Sequence, residues 1–211
     1  TKAVSFIIGM FMGGGVHAIN SIANSNRTIE NRQKLLEEVL NNPTIDDEVK
    51  KAEIMTHLVA GAFAYGSEQD IRDYVQKLYD EKSIDEDTFN KYTEVIDQGQ
   101  KAFENIPFLE ELTPEMQQEY LYRSMNIVDL NRNKTDLDQS LAENIEKINN
   151  MKGMSQEQKQ QAIDQATQEN EQMKQDVDNL IAENESMQAS IINELITQKG
   201  TDQRTRYRKG V

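Results

Sequence analysis

Residues 163–191 read IDQATQENEQMKQDVDNLIAENESMQASI. Alternate steps of three and four residues along this stretch land on Ile163, Ala166, Asn170, Met173, Val177, Leu180, Asn184, Met187 and Ile191. A sustained alternation of this kind puts one narrow seam on a helix, and only another helix buries it well. A partner lies upstream in the same chain. Met116, Tyr120, Arg123, Ile127, Leu130, Lys134, Leu137, Leu141, Asn144, Ile148 and Met151 keep the same step. Between the two tracks sits Met151–Ser155 with Gly153, the one break in either pattern.

The spacing predicts two long helices folded back on each other. Thr113-Pro114-Glu115 opens the first, because proline is tolerated at the first helical position. Its helical stretch of about 37 residues would span roughly 55 Å. The second runs from about Ser155 to Gln198. Antiparallel pairing about the turn sets Leu141 against Ala166, Leu130 against Val177, Ile127 against Leu180 and Tyr120 against Met187. It also brings Arg123 opposite Asn184, and lays the Lys134 stem beside Met173 with its charge outward. Packing is therefore expected at Ile127, Leu130, Leu137, Leu141, Val177, Leu180, Met187 and Ile191. A parallel pairing of two chains is the competing arrangement, since asparagine at one core position is a device of two-stranded coils. The covalently tethered upstream track favours the hairpin.

Working outward, residues 27–112 have the texture of a small helical bundle. Leu35, Leu36, Val39 and Leu40 form one stripe, ended by Asn41-Asn42-Pro43. Ile45, Val49, Ala52, Met55, Val59 and Phe63 form the next, stopping at Gly66. Ser67 and Asp70 restart the pattern, and Ser83 with Glu86 reads as a capping box for a helix bearing Phe89, Tyr92, Val95, Ile96 and Phe103. No stretch shows the strict alternation of a strand. The expected fold is all-α: an N-terminal apolar helix (1–26), a small helical bundle (27–112), a long antiparallel coiled-coil hairpin (113–199) and a basic tail (200–211).

Residues 3–26 carry no charged side chain. Gly9 and Gly13 are four apart, a spacing that lets helices approach closely in lipid, so they are candidate membrane or helix-packing contacts. The apolar run falls short of the roughly 20 residues of a secure span. Gly13-Gly14-Gly15 weakens it further as a helix.

Charge separates the two ends. The formal net charge is −14, yet Lys199, Arg204, Arg206, Arg208 and Lys209 stand against Asp202 alone near the C-terminus. An acidic body excludes broad nucleic-acid binding, which needs clustered Lys and Arg. Arg204, Arg206, Arg208 and Lys209 are the one candidate polyanion contact.

The chemistry of catalysis has few parts here. Cysteine is absent, which removes thiolate metal sites and cysteine nucleophiles. His17 and His57 stand in no metal-binding spacing. The acidic run 80–87 lacks the glycine that a calcium loop needs at its sixth position. The glycine triplet lacks the Gly-Lys-Ser/Thr of a phosphate loop. The expectation is a non-enzymatic protein with no cofactor and no metal, acting through contact with protein partners.

The charge-free run Phe6-Ile-Ile-Gly-Met-Phe-Met-Gly-Gly-Gly-Val-His-Ala-Ile resembles segments of the very large internal proteins of tailed bacteriophages. Those proteins travel in the capsid or tail and are ejected into the host. They are helix-dominated, rich in Asn, Gln, Lys and Glu, and punctuated by short glycine-rich apolar stretches. The resemblance implies a virion-internal structural or cargo protein whose helices pack against other virion proteins or copies of itself. It carries no motif with catalytic positions. The opening at Thr1 without an initiator methionine reads as part of a longer polypeptide. The alternative expectation is a membrane-associated coiled-coil adaptor or pore-forming effector that inserts residues 3–24, cytoplasmic or membrane-bound and not packaged in a virion.

Overall fold

A computed structural model describes residues 47–209, with Asn41 and Pro43 upstream, and gives side chains at Lys50 and over 54–201. The expected apolar helix at 1–26 and the stripe at Leu35–Leu40 lie outside the described residues. What is described is all-α: α1 (Asp47–Ala64), α2 (Glu68–Asp80), α3 (Glu86–Glu104), a 3-10 turn (Leu109–Glu111), α4 (Pro114–Asn150) and α5 (Gln156–Lys209). No strand occurs among the described residues.

Helix boundaries follow local hydrogen-bonding chemistry. α1 stops because Gly66, at φ +69°, takes the left-handed conformation that costs glycine nothing. The Ser67 N–H then donates to Ala62 O at 2.7 Å and the Gly66 N–H to Phe63 O at 3.3 Å, capping two orphan carbonyls. The start of α3 differs from the sequence expectation. Asp85, not Ser83, is the N-cap, its carboxylate accepting from the Thr88 N–H at 2.8 Å. Ser83 is already committed to closing α2, its N–H donating to Leu78 O at 2.9 Å. Thr113 caps α4 as expected, with Oγ1 accepting from the Met116 N–H and Pro114 in the first turn.

α1 lies along the first half of α4. The His57 and Tyr122 rings stack at 4.4 Å, and Tyr65 Oη donates to Glu115 at 3.3 Å. α3 crosses α1 and α4 at Gly99. A Cβ there would meet Val59 Cγ1 at 2.4 Å, so only glycine permits this approach. α2 packs on α1 and α3 through Ile71 and Val75, and is tied at its rim by Arg72, which reaches Asp97 and Gln100 at 2.9 Å.

The resulting core gathers Val59, Phe63, Val75, Ile96, Leu121, Tyr122 and Met125, and also Ile191 and Leu195 from α5. It therefore runs across residue 112, where the sequence suggested passing from bundle to hairpin. The reason is a second apolar face on α4: Leu121, Tyr122 and Met125 stand off the heptad track and face the bundle. α5 also continues as helix through Lys209, so the expected tail at 200–211 has no break before it.

The chain reverses between α4 and α5 at Met151–Ser155, where Gly153 has φ +91°. Ser155 and Gln158 then exchange hydrogen bonds, Oγ accepting from the Gln158 N–H at 3.2 Å and Oε1 from the Ser155 N–H at 2.9 Å. This reciprocal pair satisfies two donors of the first turn.

Candidate functional site: a polar seam between the two longest helices

α4 and α5 run antiparallel, and the pairs that join them fix the register. Lys159 Nζ donates to Asn149 O near the turn. Lys174 bridges to Asp138 at 2.7 Å and Lys134 to Asp178 at 2.5 Å in the middle. Towards the bundle, Arg123 Nη1 donates to Asn184 Oδ1 at 3.4 Å. Gln188 Nε2 donates to Ser124 Oγ at 2.7 Å and to Tyr120 O at 3.3 Å. Lys199 pairs with Glu111 beyond the start of α4.

Leu130, Leu137 and Val177 are buried together, with Met173, Leu180 and Ile181 packed around them. Ile127, Leu141 and Met187 are half-buried along the same interface. Ile191 is buried but belongs to the bundle core. Gly9 and Gly13 lie outside the described residues. Arg204, Arg206, Arg208 and Lys209 occupy the last turns of α5.

The seam is more polar than the heptad track suggested. Between Leu130 and Leu137 the buried residue is Asn133, at 3% exposure, while Lys134 flanks the interface and pairs with Asp178. About four turns further towards the bundle Glu119, not Tyr120, is buried. A step of three or four reaches either neighbour, and both are imperfect core residues, so the sequence alone does not choose. The second apolar face of α4 decides it: seating Leu121, Tyr122 and Met125 in the bundle rotates Glu119 and Asn133 inward.

Glu119 and Arg123 form a buried ion pair at 2.7 Å, with side chains 8% and 5% exposed. One turn of helix separates them, a spacing that holds both groups on one face. The guanidinium also lies 5.4 Å from the Tyr122 ring centroid, on the ring that stacks with His57. Asn184 completes the layer, its Nδ2 donating back to Leu180 O at 2.8 Å. Asn170 is buried on α5. The Lys174 ammonium does most to hold the Asp138 carboxyl below its ordinary range. Burial pushes the Tyr120 phenol up. Asn133 Nδ2 alone among these buried groups lacks a hydrogen-bond partner.

The ion pair lies within α4, so a slipped α4–α5 register would keep it and lose only the Arg123–Asn184 bond across the interface. Among the described residues no group of three or more His, Asp or Glu is placed to hold a metal ion. No described helix is long and apolar enough to cross a membrane. No protein family, curated protein or solved structure matches this chain.

Proposed function

We propose that this chain is a non-enzymatic structural and interaction segment of a phage virion-internal protein, cargo or ejected. It acts through helix–helix packing with other virion components or copies of itself. In this reading α4 and α5 form an antiparallel coiled-coil hairpin standing on a helical bundle. The observation that supports the contact role is the α4–α5 interface itself, where Arg123 reaches Asn184 and the pairs Lys134–Asp178 and Lys174–Asp138 bridge the two helices. The virion assignment rests on the glycine-methionine run at 6–19 and on the Asn-, Gln- and Glu-rich helical texture.

The test is comigration with intact particles through a density gradient, followed by protease digestion before and after particle disruption. Internal location predicts protection until disruption. Digestion of the intact-particle fraction, or failure to comigrate, contradicts it.

The charge-free run at 3–26 supports a second reading, a membrane-associated coiled-coil adaptor or pore-forming effector inserting residues 3–24. Liposome flotation that is lost when Gly9 and Gly13 are replaced by bulky residues would favour it over the first.

A further inference from the structure

We infer that a second copy of this chain docks its basic helical end, residues 200–209, on an acidic row along α5. Glu157, Asp164, Glu171, Asp178 and Glu185 recur every seven residues, and all five are exposed. Seven residues rise about 10.5 Å on a helix and return to nearly the same face, so these carboxylates form one line. Asp178 is already paired with Lys134, leaving the row charged on both sides of it.

The complementary surface is the end of the same helix. Past Lys199, which holds Glu111, α5 continues to Lys209 and carries Arg204, Arg206, Arg208 and Lys209 against Asp202. Arg204 and Arg208 are one turn apart and share a face. A chain cannot lay this end on its own row. Both are parts of one continuous helix, and Arg204 follows Glu185 by a rise of roughly 28 Å. The row and this end can therefore meet only between copies. Two unlike patches make a heterologous contact, which closes as a ring or runs on as a filament.

Each exposed ion pair is worth at most about fivefold in affinity, so the contact is weak and multivalent by design. The inference rests on the reading of the chain as a contact protein, but its test is separate from particle comigration.

Sedimentation velocity of the whole chain over a concentration series gives the readout, in about 0.1 M and about 1 M salt, where screening lengths are about 10 Å and 3 Å. The expected result is self-association at the lower salt, weakened at least about tenfold at the higher. The triple variant R204E/R206E/R208E and the triple variant E157K/D164K/E171K should each be monomeric, with unchanged far-UV circular dichroism. Mixing the two should restore association, because each supplies the charge the other lost. A monomeric wild type at the lower salt overturns the inference. So does self-association that survives either charge reversal, or a mixture that stays monomeric. Retention of the basic end on anionic vesicles or nucleic acid without self-association would assign that end to a different partner and also overturns it. None of these outcomes decides whether the chain rides inside a particle.

Discussion

Around Leu121 several helices meet, and fifteen buried apolar residues share one core; further along the same helix, from Leu130 on, the buried apolar cluster shrinks to Leu130, Leu137 and Val177. The bundle end buries side chains from all directions, so apolar area is its main source of stability. The distal end has one seam to bury. There, the cross-helix pairs Lys134–Asp178 and Lys174–Asp138 govern which residues face each other. The junction between the two regimes is the Glu119–Arg123–Asn184 layer. One helix therefore passes from apolar packing to polar pairing along its length.

The sharpest way to break that comparison is to hollow out each region in turn. Leu121, fully buried, should lose about 3–5 kcal/mol on replacement by Ala, and the half-buried Leu180 markedly less. Urea denaturation of both variants reads this directly. Equal losses would mean that the seam is as well packed as the core.

At the junction, Arg123→Ala should cost about 3 kcal/mol, because it leaves the Glu119 carboxylate buried without its guanidinium. Arg123→Met with Glu119→Leu should recover most of that loss, since apolar residues of similar size often replace a buried pair without penalty. If the double variant is as unstable as the single one, the pair is not acting as a unit.

The smallest effect has the opposite sign. Asn133 buries an amide nitrogen with no partner, so Asn133→Leu should stabilise the chain by about 1–2 kcal/mol in thermal denaturation. Destabilisation would show that the amide serves the packing around Val177.

The sequence made the helical class legible, because a 3-4 alternation survives any choice of partner helix. Arg123 opposite Asn184 followed from that alternation together with the short turn at Met151–Ser155, since registers seven apart fit the periodicity equally well. Glu119 and Asn133 did not follow. Tyr120 and Lys134 fit the same spacing, and only the rotation imposed by Leu121, Tyr122 and Met125 separates them. Those three residues were visible as apolar positions off the track, a signal of a second buried face. Asp85 shows the same limit locally: Ser83 and Asp85 are both good caps, and the closing hydrogen bonds of α2 take Ser83 first.

The account depends on α4 and α5 pairing within one chain in the register set by Lys174 and Asp138. The chain has no cysteine, so spin labels can be placed cleanly at 138 and at 167, 174 or 181 in turn. The account predicts the shortest intramolecular distance for 138 with 174. Moving the second label seven residues either way shifts it by about 10 Å along the axis, which should lengthen the distance. A minimum at 167 or 181, or a short distance that appears only between labelled chains, would contradict it.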